Sequence, residues 1–223
     1  MLPGIGPVSD PGSDPVSGPV FVPLDVAPQM RSVAELAARV AGCVACAELS
    51  ATRTQVVPGT APVGAEVLLV GEAPGAQEDA AGVPFVGRSG ALLDELLAEA
   101  GLVRGRVAIL NVLKCRPPAN RTPRRSEIEH CRPWLARQLA LIDPLVIVSL
   151  GSTAAAWFLG PSARIAALRA CAEPVLHEGR PLVVTYHPSA AIRFGPRGEP
   201  RRALAQDLAK VAHLVSVRRT GRD

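Results

Sequence analysis

The sequence predicts an α/β sandwich built on a parallel sheet. Four short apolar runs each end at or just before a glycine or a polar residue, as buried parallel strands do: residues 66–71, 106–110, 144–151 and 181–186. Stretches with helical spacing lie between these runs, and strands that alternate with helices imply parallel crossovers. No internal repeat is present, so we expect one domain over residues 31–217.

The helices are predicted from spacing and capping signals. Residues 32–42 have helical spacing, with Ser32 as the N-cap and Glu35 three residues later. Residues 89–102 form an amphipathic helix that begins at Ser89. Residues 126–142 are helical despite Pro133, the stretch 152–160 begins another helix, and residues 199–217 close the domain.

The two ends of the chain are predicted to lie outside this domain. Residues 1–30 are rich in Pro, Gly, Ser and Asp and have no apolar period, which is typical of a disordered tail. Residues 218–223 are read as a basic C-terminal tail. The N-terminal stretch lacks the features of a secretory signal, and no run approaches the roughly 18 apolar residues of a membrane span. We therefore expect a cytoplasmic protein without a membrane role.

The charge suggests a polyanionic partner without establishing one. The formal net charge is +4, and 22 of the 24 basic residues are arginines. Arginine forks pair well with phosphate, and a mildly basic surface suits a polyanion. A genome that favours arginine codons gives the same bias, so charge alone does not identify a nucleic-acid-binding protein.

Polar residues directly follow three of the four apolar runs. Glu72, Asn111 and His187 each lie just past a strand, and ligands of open parallel sheets bind outside the carboxyl ends of the strands. The loop after the first strand, "VGEAPGAQEDAAGVPFVG" (70–87), combines acidic residues, glycines and Phe85, a mixture suited to a pocket rather than a core. We expect these side chains to converge on one site.

Four cysteines have metal-ligand spacing. Cys43 and Cys46 form C-x2-C, and Cys115 and Cys131 follow as C-x15-C. In an intracellular chain such a set indicates a metal or redox centre rather than a disulfide. A thioredoxin-type motif lies between a strand and a helix, whereas this one follows a helix and precedes an irregular run. Zinc and an iron–sulfur cluster both fit, and the wide second spacing favours the cluster. Four unrelated buried thiols are the plainer alternative, and Cys171 is expected to be a packing residue.

Five sequence blocks carry a family resemblance. "GEAPGAQED", "PFVGRSG", "NVLKCRPP", "HPSAAIR" and the spacing of the four cysteines resemble family 4 uracil-DNA glycosylases over residues 32–217. The resemblance implies a four-stranded parallel sheet between helices, that is, a three-layer α/β/α sandwich. It also implies a [4Fe–4S] cluster held by the four cysteines, with zinc as the alternative. The implied activity is removal of uracil from DNA, the first step of base excision repair, in a bacterial nucleoid.

The resemblance implies a role for each pocket residue. An enzyme that acts on a base extrudes it into a close-fitting pocket, where Phe85 would stack on uracil. The Asn111 amide would pair with uracil O4 and N3–H, an arrangement that cytosine cannot satisfy. His187 would donate to O2, where negative charge develops. Gly71, Glu72 and Ala73 complete the expected binding set.

The carboxylates depart from the best-known uracil glycosylases. Those enzymes carry an Asp where this chain has Ala73, so Glu72 and Glu78 are the candidates for orienting water and stabilising the cationic sugar. Asp79 is expected to interact with a helix N-terminus. Lys114 is the single lysine in these loops, so we expect water to attack the sugar and leave an abasic site. We expect a monomeric enzyme that needs no nucleotide cofactor.

Further residues are candidates for contacts with DNA. Ser89 and Gly90 open a helix, where free amides favour a phosphate. Ile192 is the candidate wedge for the gap left by the base, and Arg193, next to it, and Ser189 are candidates for phosphate contacts. A basic rim is expected beside the cysteines, formed by Arg116, Arg121, Arg124 and Arg125.

Two rival functions are considered. One is a covalent uracil-DNA-binding relative that uses a histidine in a basic insertion after the second strand. The chain lacks that insertion, and His130 lies on a predicted helix beside Cys131. The other is a non-catalytic, metal-containing DNA-binding accessory protein of replication or repair. That function accounts for cysteines and basic surface, but it does not require Phe85, Asn111 and His187 together.

Overall fold

The computed structural model describes residues 26–171 and 173–220. Its centre is a five-stranded sheet with the order β2-β1-β3-β5-β4. The strands are β1 (Val67–Gly71), β2 (Val107–Asn111), β3 (Val146–Leu150), β4 (Val175–His177) and β5 (Arg180–Thr185). The four predicted strands are present and parallel, which confirms the fold class. The fifth strand, β4, was not predicted, because its three residues form an antiparallel edge hairpin with β5 that is too short to give an apolar run.

Helices cover both faces of the sheet. They are α1 (Val33–Val40), α2 (Ala47–Thr52), α3 (Ala76–Ala81), α4 (Arg88–Glu99), α5 (Arg125–Ile142), α6 (Ser152–Leu159), α7 (Ile165–Arg169), α8 (Pro188–Phe194) and α9 (Glu199–Thr220). The leucines of α4 and the apolar side of α9 pack on one face of the sheet. Helices α5 and α6 pack on the other face. The result is the expected three-layer sandwich, and none of the described helices has the length and apolarity to cross a membrane.

A third apolar cluster joins the N-terminal segment to the sandwich. Leu36 and Val40 of α1 and Leu49 of α2 pack with Trp134 of α5 and with the loop after β2. Helix α1 begins as predicted, because the Ser32 hydroxyl accepts a hydrogen bond from the Glu35 amide at 3.1 Å.

The predicted tails are shorter than expected where the structure describes them. Residues 1–25 lie outside the described residues. Ala27–Gln29 form a 3-10 turn in which Ala27 is buried, and Arg137 donates to the Met30 carbonyl. The first 30 residues are therefore not all tail, since buried contacts start by Ala27. At the other end α9 continues through Thr220, and residues 221–223 lie outside the described part.

Short helices account for most differences from the predicted elements. Helices α2, α3, α7 and α8 have five to seven residues and show no clear period in the sequence. Cys46 is the N-cap of α2, so the C-x2-C motif precedes a helix and not an irregular run. Helix α4 starts at Arg88 with Gly87 as its N-cap, one residue before the predicted start.

Candidate active site

The ends of three parallel strands meet around one cavity. Its volume is about 470 Å³, and its walls include Glu72, Phe85, Asn111 and His187. Strand pairing explains the convergence, because Gly71 at the end of β1 is in register with Asn111 at the end of β2. The rings of Phe85 and His187 lie 5.5 Å apart. The expected convergence of these side chains is therefore what the fold produces.

Asn111 is a buried amide with an unused acceptor. Its side chain is 3% exposed, and its Oδ1 has no hydrogen-bond partner within the described residues. Its backbone is held firmly, because the Lys114 ammonium donates to the Asn111 carbonyl at 2.8 Å. An unpaired buried acceptor is costly, so this arrangement is typical of a group kept for a ligand.

Gly71 is required by close packing against the pocket side chains. A Cβ at this position would lie 2.5 Å from Asn111 Oδ1 and 2.7 Å from Cζ of Phe85. Gly71 therefore belongs to the site through the space that it leaves. Ala73, the other small residue of the predicted set, lines the cavity directly.

Phe85 is held in an unusual backbone conformation. Its φ is 54°, in the left-handed region that bulky residues rarely adopt. The Arg104 guanidinium donates to the carbonyls of Pro84 and Phe85 at 2.9 and 3.1 Å and fixes this turn. Backbone strain of this kind concentrates at functional sites. Arg104 lies in a short 3-10 turn 19 residues further on, so no sequence signal connected it with the pocket.

The tautomer of His187 follows from its hydrogen bonds. The Ser189 amide donates to His187 Nδ1 at 3.1 Å, so the ring proton of the neutral form lies on Nε2. Burial lowers the pKa of His187 to about 4, despite the opposing effect of the Glu78 carboxylate. The imidazole is neutral at physiological pH and offers an N–H donor.

The three acidic residues of the loop have different partners. Glu78 accepts from the amides of Gly75, Val86 and Gly87 at 3.0 to 3.1 Å, which engages both of its oxygens. Buried Asp79 accepts from the amides of Thr54 and Gln55.

These contacts separate the acidic residues by role. Glu78 organises the loop that presents Phe85. Asp79 connects α3 to the segment after α2, a tertiary contact in addition to its expected place in the first turn of a helix. Glu72 lines the cavity and accepts a hydrogen bond from the Thr153 hydroxyl.

The candidate DNA contacts are only partly assembled at the cavity. Ser89 and exposed Ser189 line it. Gly90 is buried and lets the start of α4 approach the Phe85 carbonyl, where a Cβ would clash. Ile192 is half-buried and Arg193 is exposed, both on α8, and neither forms a wall of the cavity.

Two of the four arginines of the expected basic rim are paired with carboxylates. Arg121 lines the cavity but is paired with Glu127 and Glu48, and Arg124 is also paired with Glu48. Arg88, which was not singled out from the sequence, adds an exposed guanidinium at the cavity wall. The net positive charge of the predicted rim is therefore smaller than its four arginines suggest.

Comparison with known proteins identifies the family of this chain. A family model described as the uracil DNA glycosylase superfamily matches residues 58–209. The chain belongs to this superfamily. A type-4 uracil-DNA glycosylase of Thermotoga maritima is 42% identical over 178 residues, which is 79% of this chain and 91% of that protein.

Two archaeal type-4 uracil-DNA glycosylases are similarly related. The protein of Pyrobaculum aerophilum is 43% identical over 160 residues, covering 69% of this chain and 82% of its own length. That of Archaeoglobus fulgidus is 39% identical over 191 residues, covering 83% and 94%. The resemblance seen in the five sequence blocks is confirmed as family membership.

The four cysteines of this uracil DNA glycosylase superfamily member lie together at a second place. Cys43, Cys46, Cys115 and Cys131 line a small apolar cavity of about 20 Å³ beside α5. The Arg53 guanidinium donates to Cys115 Sγ at 3.1 Å and to the Cys43 carbonyl at 2.7 Å. Cys171 is exposed, so its predicted packing role is wrong.

The four thiols line one cavity, but their side chains are not arranged as metal ligands. Among the described residues, no three or more His, Cys, Asp and Glu side chains have metal-binding geometry. Burial raises the pKa of Cys46 to about 11 and of Cys131 to about 12. Thiols in this state are protonated, and a bound metal would displace those protons. The type-4 family is compatible with a cofactor.

Proposed function

We propose that this chain is a uracil-DNA glycosylase that extrudes uracil from DNA and hydrolyses its N-glycosidic bond, leaving an abasic site for base excision repair. The observation that carries the proposal is the single cavity lined by Phe85, Asn111 and His187. Its volume of about 470 Å³ exceeds what a single ring needs, since benzene fits a cavity of about 150 Å³. The remaining space is suited to the sugar and its phosphates.

Base recognition follows from the buried amide. Asn111 Oδ1 lacks a partner and would accept from uracil N3–H, while the Nδ2 group donates to O4. Cytosine presents an acceptor at N3 and a donor at C4, so it would leave both groups of the amide unpaired. Such a mismatch of buried polar groups gives strong discrimination. Phe85 supplies the face on which the extruded ring stacks.

Bond cleavage is assisted by the neutral imidazole. As the bond between C1′ and N1 breaks, its electron pair moves to the base, and negative charge develops on O2. The Nε2–H of His187 donates to that oxygen. Removal of one such donor costs about 3 kcal/mol, or roughly 100-fold in rate. Because burial keeps the pKa of His187 near 4, the group donates a hydrogen bond and does not transfer its proton.

Water completes the reaction at the sugar. Its oxygen forms the new bond to C1′, and Glu72 is the carboxylate proposed to orient it, to accept its proton and to stabilise the cationic sugar. Glu78 is assigned to loop organisation, because backbone amides engage both of its oxygens. The Lys114 ammonium contacts the Asn111 carbonyl and lines the cysteine cavity. These contacts support water, and not an amine, as the nucleophile.

The same proposal includes a [4Fe–4S] cluster held by Cys43, Cys46, Cys115 and Cys131, with zinc as the alternative. Four sulfur donors on one small cavity suit either metal centre, and the C-x15-C spacing favours the cluster. When bound, the cluster would crosslink the segment between α1 and α2, the loop after β2 and α5. Brown colour and about four irons per chain in purified protein support the cluster, and stoichiometric zinc without iron contradicts it.

We further propose that the enzyme acts as a monomer, without a nucleotide cofactor, in the bacterial cytoplasm at the nucleoid. Gel filtration coupled to light scattering tests whether the enzyme is a monomer. Uracil release in buffer without nucleotides tests whether it needs a nucleotide cofactor.

The decisive experiment is release of uracil from a defined oligonucleotide. Alkali after incubation should cut the strand at the uracil position, and protein alone should leave the abasic site intact. The variant Asn111→Ala should lower the single-turnover rate at least 100-fold while its affinity for undamaged DNA changes little. If the wild-type chain binds uracil-containing DNA but never produces an alkali-labile site, a non-catalytic accessory protein is the better description.

A further inference from the structure

The first turn of α6, which follows the central strand β3, contributes to the site through a hydroxyl group. Strands β1 and β3 are parallel neighbours, with Val70 in register with Ser149. The residues that follow them are therefore side by side. Thr153, in the first turn of α6, donates from its hydroxyl to Oε2 of Glu72. Thus the segment that follows β3, which showed no obvious site residue in the sequence, also supplies a group to this end of the sheet.

Thr153 contacts Glu72 from behind the cavity. The cavity walls include Glu72 but not Thr153. The hydroxyl is not used to cap α6, which has no side-chain cap. Within the described residues, Oε1 of Glu72 has no hydrogen-bond partner, so one oxygen is anchored and the other is available. Glu78 differs, because backbone amides engage both of its oxygens.

We infer that Thr153 is a positioning residue that orients the Glu72 carboxylate toward the sugar of the extruded nucleotide. The inference rests on the proposed function and deepens it, since it names what fixes the group that acts on the sugar and water. A glutamate side chain has three rotatable bonds, and a partly exposed carboxylate without an anchor samples many directions. Catalytic groups need supporting contacts that hold them within about 0.5 Å of the productive position.

A double-mutant cycle tests this assignment. Thr153→Val keeps the size of the side chain and removes the hydroxyl, and Thr153→Ser keeps the hydroxyl. Single-turnover rates should fall roughly 10-fold or more in the valine variant and by no more than about threefold in the serine variant. In a Glu72→Ala background the valine substitution should change the rate by less than about twofold. An equal loss in both backgrounds, no loss in either, or failure of serine to rescue overturns the inference.

A binding measurement keeps the test independent of turnover. The probes are two oligonucleotides, one with a protonated pyrrolidine in place of the sugar and one with neutral tetrahydrofuran. The wild type should prefer the cationic probe, and Thr153→Val should reduce that preference roughly 10-fold while leaving tetrahydrofuran binding unchanged. A preference that survives the substitution overturns the role of Thr153.

The two measurements separate the inference from the proposed function. A wild-type chain that fails to release uracil contradicts the proposed function, whereas the ratio of the two affinities still reports on the Thr153–Glu72 contact. Thermal unfolding of each variant, followed by circular dichroism, shows whether the fold is intact. Thr153→Ala, which also removes the hydroxyl, serves as the second variant if the valine variant unfolds, and the same outcomes apply to it.

Discussion

Substitution of Gly71 by Ala perturbs both pocket side chains with one added methyl group. The new Cβ would lie 2.5 Å from Asn111 Oδ1 and 2.7 Å from Phe85 Cζ, with Cε2 of the same ring at 2.9 Å. Ordinary van der Waals contact begins near 3.4 Å. The amide oxygen must therefore move by about 0.9 Å, and the ring by about 0.7 Å, to accommodate the methyl group.

This displacement sets the expected loss of activity. A misplacement of about 1 Å in a positioning group costs on the order of 100-fold in rate. The expected loss of stability is smaller, about 1 to 3 kcal/mol, which is typical of overpacking by one carbon. The variant should therefore remain folded while its single-turnover rate of uracil release falls about 100-fold.

The assay is single-turnover cleavage of a uracil-containing oligonucleotide with enzyme in excess. Gly105→Ala is the matched control, because a Cβ at Gly105 meets no atom within 4 Å. It should retain the wild-type rate within about twofold. A Gly71→Ala variant that is equally active would show that Asn111 and Phe85 do not need their present positions, and the pocket assignment would then be wrong.

Three further predictions concern His187, the cysteines and the loop. Nitrogen NMR of the His187 ring should show the neutral Nε2–H form at pH 6, and its pKa should lie near 4; titration near 6.5 would contradict the lowered pKa. Because the unfolded chain takes up this proton at a higher pH than the folded chain, His187 should lower stability as the pH falls from 6.5 through about 4. The Cys131→Ser variant should lack the brown colour of the wild type and have a melting temperature lower by roughly 10 °C or more. Substitution of the exposed Cys171 by serine should change neither property. Equal behaviour of the two variants would argue against a metal centre. Glu78→Gln should speed hydrogen exchange of the Val86 and Gly87 backbone amides, because a glutamine side chain has one acceptor oxygen in place of two. A large loss in the rate of uracil release with unchanged hydrogen exchange would instead make Glu78 a direct catalytic group.

Much of the sheet was predictable because its strands are buried on both faces. Each parallel strand is mostly apolar and has no exposed position, and the predicted limits differ from the observed ones by a few residues at most. The short edge strand β4 has half-buried and exposed residues and carries no such run. The four short helices were missed because five to seven residues are too few to establish a helical period.

The convergence of the candidate site residues was predictable where they lie at or near strand ends. Asn111 ends a buried strand, Glu72 follows one directly and His187 lies two residues beyond another, and parallel strands bring such positions together. Contacts through space were not predictable in this way. Arg104 reaches the Phe85 carbonyl from 19 residues away, and Thr153 reaches Glu72 from 81 residues away. No sequence spacing encodes either contact.

A crystal structure of the protein with bound uracil would test the arrangement of the pocket most directly. The ring should stack on Phe85, with N3–H and O4 facing the Asn111 amide and O2 within hydrogen-bond distance of His187 Nε2. Uracil bound elsewhere on the protein, or oriented with O2 toward Asn111, would contradict the proposed mechanism.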